Sequence, residues 1–407
     1  MSEIYDVLVV GGGPGGLSAG IYGSRARLKT AVIEKGRAGG QAATTTEMEN
    51  YPGSFEEVSG PGLMDNFASH AEHFGTKILK GLVTDVELEG DIKKVTCKSG
   101  EVYQAYSIIL APGAEPRTLN IKGEGKLRGR GVSYCATCDA DFMEDLDVVV
   151  VGNGDAAIEE AMFLTRFANE VTIIVIHDEG ILDCNKASAE KAFENPKLKW
   201  VWNSVLEEIV GDELVEEVVI KNIKTGELTK KEVNGVFFFV GTIPKTDFLK
   251  GKVELDERGY IVTNELMETN VEGVYAVGDA IVKYLRQVVT AAADGAIAAV
   301  AAEKYLEEKE YFRKKVLEAK TPVLLAFWAP QVEKSLASIG VLESVVEELA
   351  GKVSLSKVDT YRNKKTSDAY KVTEIPTVLL FNKGEVIDRI EGDFTADDVK
   401  KLISKVN

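Results

Sequence analysis

The sequence predicts an α/β protein with two doubly wound nucleotide-binding domains and a third, smaller domain of strands and helices. Three observations support this fold class. An apolar strand followed by a glycine-rich loop and a helix occurs near the N-terminus, the same pattern returns about 140 residues later, and strands alternate with helices over the last hundred residues. A chain of 407 residues is long enough for two or three domains of roughly 100–200 residues each.

The first glycine-rich loop has the features of a dinucleotide-binding site. An apolar strand leads into Gly11-x-Gly13-x-x-Gly16, a helix follows, and a second strand ends in Glu34. Gly11 makes the tight turn, Gly13 lets backbone N–H groups approach a pyrophosphate, and Gly16 lets helix and strand pack closely. The helix N-terminus stabilises phosphate charge, and Glu34 can accept hydrogen bonds from a ribose.

The second glycine-rich loop repeats this plan. A strand over residues 148–151 leads into Gly152-x-Gly154-x-x-Ala157, and a second strand follows over residues 171–176. Two such Rossmann units in one chain predict a flavoprotein, in which the first unit holds FAD and the second a pyridine nucleotide.

A late segment adds to the expected FAD site. An apolar strand ends at Gly278 and Asp279, and a helix of small residues follows near Gln287 and Val288. An aspartate at such a strand end can bind a ribityl hydroxyl. The N-terminus of the following helix can stabilise the electron-rich pyrimidine edge of a flavin.

Composition argues against several classes of function. The chain has 65 acidic and 48 basic residues, a net charge of -17, which repels nucleic-acid phosphates and anionic lipid. No apolar run reaches the ~18 residues of a membrane span. The N-terminus has neither a basic region nor a cleavage site, so we expect no signal peptide and a cytoplasmic protein.

The stretch SYCATCD places Cys135 and Cys138 two residues apart, with Asp139 directly behind. A CxxC pair of this kind indicates redox chemistry or metal binding. Cys97 and Cys184 are distant in sequence, and none of the three histidines is spaced near a cysteine. We therefore expect a redox-active disulfide, no metal site, and no redox role for the other two cysteines.

Over residues 1 to about 308, the chain resembles the low-molecular-weight bacterial thioredoxin reductases. The resemblance rests on GGGPGG, GGQAATTTEMENYPG (39–53), SYCATCD, GNGDAAIEEAMFLTRFANEVT and GDAIVKYLRQVVTAAADGAIAA. It implies that FAD is bound by Gly11, Gly13, Pro14, Gly16, Glu34, Gly40, Gln41, Asn50, Val83, Gly113, Asp279, Arg286, Gln287 and Val288.

The resemblance also implies a domain plan and a homodimer. The chain would cross between domains near residues 115–118 and 243–247, where glycine and proline suit hinges. The expected domains are an FAD-binding domain in two parts (1–116 and 246–308), a CxxC-bearing domain of NAD(P) type (117–245) and a C-terminal domain (309–407).

The same resemblance implies the mechanism. Reduced flavin passes two electrons to the Cys135–Cys138 disulfide, and a thiolate then attacks a disulfide of thioredoxin or a thioredoxin-like protein. Cys135 would attack the partner, Cys138 would face the flavin, and Asp139 would exchange protons with the thiolates as a general acid.

The expected nucleotide site departs from the family pattern. NADPH-dependent members carry three arginines here that bind the 2′-phosphate. In this chain Ile176, His177 and Ile181 stand at those positions, and Asp178 and Glu179 would repel a phosphate. We therefore expect reduced ferredoxin as the electron donor rather than NADPH. NADH remains the alternative, because the loop from Gly152 to Ala157 is intact.

A basic stretch before the CxxC pair could steer an acidic ferredoxin. The segment NIKGEGKLRGRG carries Lys122, Lys126, Arg128 and Arg130 against one acid. The alternative is an ordinary solvated loop.

The last hundred residues resemble thioredoxin. The matching features are Phe327-Trp328-Ala329-Pro330, Val358-Asp359 and Ile375-Pro376-Thr377, with Pro376 expected in the cis form. Val332 and Ser335 stand where thioredoxin has its cysteines, and Ala326 replaces a buried aspartate, so this domain cannot exchange disulfides. It is either an appendage for stability or dimer contact, or a docking module.

A hypothesis of another class is a non-catalytic, flavin-containing redox sensor. The missing arginines and the cysteine-free appendage suggest it. Asp139 favours the enzyme, because turnover needs a proton donor and a sensor does not.

Overall fold

The computed structural model describes residues 3–44, 48, 50–54, 59–361 and 363–406. The stretch 39–53, on which part of the resemblance rests, is described incompletely: Thr45, Thr46, Glu47 and Glu49 lie outside the described residues. The chain forms two compact units, Met1–Glu303 and Lys304–Asn407.

The first stretch of the chain begins with a strand, the glycine loop and a helix, as predicted. Its elements are β1 (Ile4–Val10), α1 (Pro14–Arg25), β2 (Thr30–Glu34), α2 (Gly60–His73), β3 (Lys77–Lys80), β4 (Val83–Glu87), β5 (Lys93–Cys97), β6 (Val102–Leu110) and β7 (Ala114–Pro116). The apolar runs at residues 7–10 of β1 and 31–33 of β2 are buried, as expected for parallel strands covered on both faces.

The middle stretch repeats the doubly wound plan. Its elements are β8 (Val132–Ser133), α3 (Ala136–Asp139), β9 (Asp147–Val151), α4 (Asp155–Leu164), β10 (Glu170–Ile174), α5 (Lys186–Glu194), β11 (Leu198–Val201), β12 (Ser204–Val210), β13 (Glu217–Asn222), β14 (Leu228–Glu232), β15 (Gly235–Phe238) and β16 (Thr242–Pro244). A parallel sheet has the order β11-β10-β9-β15-β8, and β12-β13-β14 form an antiparallel sheet. The predicted strand 171–176 ends earlier, at Ile174.

The chain then returns to the first sheet through β17 (Val274–Ala276) and enters α6 (Val288–Phe312). The first sheet has the order β3-β2-β1-β6-β5-β4, and β17 pairs in parallel with β6. The two parts of the predicted FAD-binding domain therefore share one sheet, although about 160 residues separate β6 from β17 in sequence.

The two predicted crossings between domains lie side by side. Strands β7 and β16 pair antiparallel, with Ile243 opposite Glu115. The backbone N–H of Arg117 donates to the carbonyl of Gly241 at 3.0 Å, which extends this ribbon. The predicted hinge segments therefore form one two-stranded connection.

The second unit alternates strands and helices as expected. It contains β18 (Val323–Trp328), α7 (Glu333–Glu348), β19 (Ser354–Asp359), α8 (Lys364–Ala369), β20 (Thr377–Asn382), β21 (Glu385–Glu391) and α9 (Ala396–Ile403). The sheet order is β19-β18-β20-β21. The predicted boundary at residue 309 falls inside α6, because the charged helix-forming segment continues without a break.

The α/β class with two Rossmann-type domains is confirmed. In the described ranges, no helix has both the length and the apolar composition that crossing a bilayer requires.

Candidate active site

A cavity of about 1210 Å³ lies in the first unit, between the β1–α1 loop, the α3 helix and the N-terminus of α6. It is lined by all the predicted cofactor-binding and catalytic residues except one. The exception, Asn50, donates a hydrogen bond from Nδ2 to Oε1 of Gln287 at 3.1 Å, and Gln287 does line the cavity. The structure thus gathers residues that are spread over most of the first 290 positions.

The first glycine loop forms a cradle of bare backbone at this cavity. Gly11 has a φ of +108°, and a Cβ there would lie 2.1 Å from the carbonyl oxygen of Ala111. A Cβ on Gly16 would lie 1.9 Å from the carbonyl oxygen of Gly11. A Cβ on Gly13 would meet nothing within 4 Å. The fold itself therefore requires two of the glycines, whereas Gly13 borders space open to a ligand.

Glu34 lies at the end of β2, as predicted. Its carboxylate accepts hydrogen bonds from the backbone N–H of Gly12 at 2.7 Å and of Gly36 at 3.2 Å. These bonds fix the acid beside the glycine loop, where it lines the cavity.

Asp279 carries a buried carboxylate oxygen, Oδ1, with no hydrogen-bond partner among the described residues. Burial raises the pKa of this carboxyl, while Lys283 and Arg286 oppose the rise. Arg286 donates to the backbone carbonyl of Asp279 at 3.2 Å, which steadies the turn. A buried oxygen without a partner, facing a large cavity, fits a hydroxyl-bearing ligand such as the ribityl chain of FAD.

The redox pair lies at the same cavity. Strand β8 ends directly before the pair, and Cys135 and Cys138 form a disulfide with a Cα–Cα distance of 5.3 Å. The Nε2 atom of Gln287 lies 3.8 Å from Sγ of Cys135. The disulfide is therefore placed against the N-terminus of α6, where the flavin edge was expected.

Asp139 closes the short helix α3 and is mostly buried. The hydroxyl of Ser133 donates to its Oδ2 at 2.5 Å. Burial raises the pKa of Asp139, and the Ser133 hydrogen bond partly offsets the rise. Sequence reasoning missed Ser133, because only the folded turn brings it under the carboxylate.

The two remaining cysteines are free. Burial raises the pKa of both the Cys97 and the Cys184 thiol, and Asp155 adds to the rise at Cys184. A raised pKa lowers the thiolate fraction and hence the reactivity. Both thiols are therefore poorly suited to redox chemistry.

Contacts within the protein fix the backbone and the acidic side chain of the second glycine loop. Gly152 has a φ of +133°, and a Cβ there would lie 2.5 Å from the carbonyl oxygen of Phe239, so packing alone requires it. The carboxylate of Asp155, in the first turn of α4, accepts hydrogen bonds from the backbone and side-chain N–H groups of Asn185 at 2.7 and 2.9 Å. A carboxylate therefore lies at the helix end where a pyrophosphate would bind.

The strand end at which the resemblance predicts arginines for NADPH-dependent members is apolar and acidic in this chain. The side chains of Ile176 and Ile181 are 49% and 54% exposed, and neither carries a charge for a phosphate. Nε2 of His177 lies 3.0 Å from Oδ2 of Asp183, and Asp178 forms an ion pair with Lys224.

The predicted basic stretch is partly neutralised. Lys122 pairs with Glu208 and Lys126 with Asp212, at 2.6 and 3.0 Å. A nitrogen of Arg128 donates to Oε1 of Gln41 at 3.2 Å. Arg128 and Arg130 line the cavity. Fewer positive charges of this stretch are therefore free to attract an acidic partner than the sequence suggested.

The second unit retains the thioredoxin pattern without its thiols. The Ile375–Pro376 peptide bond is cis, as predicted. Ser335 is fully buried, and its Oγ accepts a hydrogen bond from the backbone N–H of Ala329 at 2.9 Å. Val332 lies at the N-terminal end of α7. Among the residues that the structure describes, no cluster of His, Cys, Asp and Glu could hold a metal ion.

Comparisons with known proteins agree with this arrangement. The family model of pyridine nucleotide-disulphide oxidoreductases matches residues 5–295, and that of thioredoxin matches residues 303–405. The chain is 52% identical over 313 residues to a thioredoxin reductase of Peptoclostridium acidaminophilum, across 75% of this chain and 98% of that relative.

Two further matches extend the likeness. A bifunctional thioredoxin reductase/thioredoxin of Mycobacterium leprae is 35% identical over 431 residues, which cover 96% of this chain and 94% of the relative. The crystal structure of a thioredoxin reductase from Streptococcus pyogenes superposes with a TM-score of 0.72 at 41% identity, across 76% of this chain and all of that one.

Proteins of this family are FAD-binding flavoproteins. The open cradle at Gly13, the unpartnered oxygen of Asp279 and the size of the cavity fit that cofactor. The chain belongs to the pyridine nucleotide-disulphide oxidoreductase family, in its thioredoxin reductase branch, and carries a C-terminal thioredoxin domain.

Proposed function

We propose that the chain is a cytoplasmic, homodimeric, FAD-dependent reductase of the disulfide in thioredoxin or a thioredoxin-like protein. The observation that carries the proposal is the Cys135–Cys138 disulfide facing the FAD-sized cavity, with Gln287 against Cys135. When bound there, FAD accepts electrons from a donor and passes two of them to the disulfide.

Several residues of the cavity would hold the cofactor. Gly11, Gly13, Pro14 and Gly16 cradle the pyrophosphate at the N-terminus of α1. Glu34 binds the adenosine ribose and Asp279 the ribityl chain. The remaining contacts come from Gly40, Gln41, Asn50, Val83, Gly113, Arg286, Gln287 and Val288.

The two cysteines divide the work. Cys138 faces the cofactor, and Cys135 attacks the partner's disulfide through a mixed disulfide. Asp139 holds a proton for the thiolates, which its burial and raised pKa support. For a protein partner to reach Cys135, the middle domain must turn about the β7–β16 ribbon.

The disulfide substrate is a separate molecule. The relative from Mycobacterium leprae is named a bifunctional thioredoxin reductase/thioredoxin, with both parts in one chain. Here Val332 and Ser335 occupy the positions of the thioredoxin cysteines, so the attached domain has no disulfide to reduce. It acts as a docking module or as a stabilising appendage.

We propose reduced ferredoxin, not NADPH, as the electron donor. The exposed Ile176 and Ile181 offer no charge to a 2′-phosphate. The Asp155 carboxylate lies at the N-terminus of α4, where it opposes the pyrophosphate of any dinucleotide.

NADH is the second candidate. The favourable observation is Gly154, where a Cβ would meet nothing within 4 Å, so the loop still borders open space. NADH needs no arginine clamp, because it lacks the 2′-phosphate.

Anaerobic stopped-flow of the flavin absorbance, with NADPH, NADH and reduced ferredoxin in turn, tests the donor. We expect rapid bleaching with ferredoxin alone. Fast bleaching by NADH would establish the second candidate, and fast bleaching by NADPH would refute both.

The acceptor is tested with photoreduced protein and oxidised thioredoxin. We expect new thiols on thioredoxin, and none with Cys135→Ser. Absence of thiol gain in the unmutated protein, with every donor inactive, would instead support a redox sensor.

A further inference from the structure

One hydrogen-bond donor of the cavity points at a sulfur of the redox pair. Gln287, directly before α6, has the Nε2 atom of its side-chain amide 3.8 Å from Sγ of Cys135, a distance at which an amide can hydrogen-bond to the large sulfur atom. The resemblance assigns Gln287 to the cofactor alone, and nothing described so far gives its amide a task towards the cysteines. The contact asks what a fixed N–H donor does beside a sulfur that changes its charge during reduction.

The Gln287 side chain is held at both ends. Its Oε1 accepts a hydrogen bond from Nδ2 of Asn50 at 3.1 Å, so the carbonyl end of the amide is engaged and the nitrogen end is directed at the sulfur. Its backbone N–H donates to Oγ1 of Thr290 at 3.2 Å, and its backbone carbonyl accepts from the same hydroxyl at 3.0 Å. An amide fixed in this way needs little rearrangement when charge develops beside it.

The charged groups that line the cavity on α3 and on the turn before α6 have other partners. Asp139 accepts the hydroxyl of Ser133 at 2.5 Å. Arg286 donates to the backbone carbonyl of Asp279 at 3.2 Å, and the proposed function gives the Asp279 carboxylate to the ribityl chain. The group from the start of α6 that meets the sulfur is therefore the uncharged amide of Gln287.

Reduction of the disulfide places negative charge on sulfur. In the proposed function the electrons enter at Cys138, which faces the cofactor, so Cys135 carries the leaving sulfur when the S–S bond breaks. Two electrons and one proton, which the reduced cofactor or Asp139 supplies, give a thiol at Cys138 and a thiolate at Cys135. Cleavage is faster when the leaving sulfur holds negative charge more easily. A hydrogen-bond donor at Sγ of Cys135 therefore speeds the cleavage and preserves the thiolate that attacks the partner.

We propose that Gln287 stabilises the thiolate that forms on Cys135, and that Asn50 positions the amide for this task. This inference rests on the proposed function. Gln287 is then a catalytic residue as well as a cofactor ligand, because its Nε2 contacts a reacting atom. Asn50 acts through Gln287 and is a positioning residue.

Gln287→Glu in the full-length holoprotein tests this through pH. Thiol formation at Cys135 and Cys138 after photoreduction is followed by rapid quenching and alkylation, and absorbance gives the FAD content. At alkaline pH the new carboxylate repels the thiolate, and we expect thiol formation to slow by roughly tenfold or more. As pH falls, the carboxyl takes up a proton and can donate again, so the rate should recover. The unmutated protein should lack this ionisation.

Asn50→Asp tests the positioning and leaves Gln287 in place. The new carboxylate accepts from Nε2 of Gln287, which turns Oε1 towards Cys135 and removes the donor from the sulfur. We expect a similar slowing of thiol formation, and this variant serves if Gln287→Glu binds FAD poorly. The matched control is Asn120→Asp, which adds the same charge at an exposed position of the same unit and should leave the rate unchanged.

A second readout involves no turnover. The holoprotein is equilibrated with graded ratios of reduced to oxidised dithiothreitol, and the thiols of the redox pair are trapped and counted. Because Gln287 stabilises the reduced pair, Gln287→Glu at alkaline pH should need a roughly tenfold higher ratio for half-reduction. Asn120→Asp should need the same ratio as the unmutated protein.

The inference is overturned if Gln287→Glu, with FAD bound, matches the unmutated protein in both readouts at every pH. A rate that falls in this variant but does not recover at low pH would also overturn it, because a purely structural role predicts that result. An unmutated rate in Asn50→Asp would refute the positioning by Asn50. The proposed function fails differently. In that case the unmutated holoprotein itself would form no thiols at Cys135 and Cys138 after photoreduction.

Discussion

The Nε2 atom of Gln287 lies 3.8 Å from the Sγ atom of Cys135, although 152 positions separate the two residues in sequence. The same side chain accepts a hydrogen bond from Asn50. One glutamine thus joins an early loop, the redox pair and the start of α6. In this orientation the disulfide faces the cavity, which is the arrangement that electron transfer from the cofactor requires.

We expect Asp139→Asn to slow thiol formation at the redox pair by about 10²-fold or more, because the amide cannot donate a carboxyl proton. Since burial raises the pKa of Asp139, the unmutated protein keeps the acid protonated to higher pH than an exposed aspartate. Its rate should fall as pH rises through that raised pKa. Rapid-quench alkylation after photoreduction measures both effects. Asp141→Asn, an exposed neighbour, is the control, and an equal loss there would refute the assignment.

Alanine at two glycines should separate folding from cofactor binding. Gly16→Ala places a Cβ 1.9 Å from the carbonyl of Gly11, so the free energy of unfolding should fall by about 1–3 kcal/mol. Gly13→Ala meets no protein atom within 4 Å and should leave the apoprotein stable while weakening FAD binding by roughly tenfold or more. Denaturant unfolding and flavin titration measure the two quantities. Wild-type flavin affinity in Gly13→Ala would contradict the proposed cradle.

Arg128 should hold the middle domain in the orientation seen here, because its guanidinium bonds Gln41 of the first domain. Losing such a hydrogen bond changes the free energy by about 0.5–1.5 kcal/mol, which is a roughly two- to tenfold change in population. Arg128→Met should therefore speed alkylation of Cys135 in the reduced protein by that factor. Lys126→Met removes a charge from the same loop but only contacts with Gly211 and Asp212 of the same domain, and it should leave the alkylation rate unchanged.

Ser335 should be a structural residue of the C-terminal unit. Its buried Oγ accepts the backbone N–H of Ala329, and Ser335→Ala leaves that donor unpaired. We expect the unfolding free energy of this unit to fall by about 1–3 kcal/mol, seen by calorimetry of the full chain. The exposed Ser404→Ala should have little effect. A drop in flavin binding with Ser335→Ala would point to a different role.

Local patterns were enough to predict much of the site. The glycine loops, Glu34 at a strand end and the CxxC pair with its aspartate depend on spacing within about 20 residues, where chain geometry is nearly fixed. The cis peptide bond before Pro376 and the order of strands and helices in the last unit were also predicted correctly.

Long-range contacts were not predictable from such patterns. The bond of Asp155 to Asn185 and the approach of Gln287 to Cys135 depend on how helices and loops pack. The basic stretch shows the same limit, because its charges were counted correctly but their partners Glu208 and Asp212 lie about 85 residues away.

The sequence by itself determined the chemistry of this protein: a nucleotide cradle, a redox-active cysteine pair and an appended thioredoxin domain without thiols. Residue types and short spacings carry that information. Tertiary structure decided what those groups face: the disulfide lies towards the cofactor cavity, with the largely buried Asp139 beside it. Burial and the approach of distant side chains set proton affinity, and both arise only when the sheets and helices are packed together.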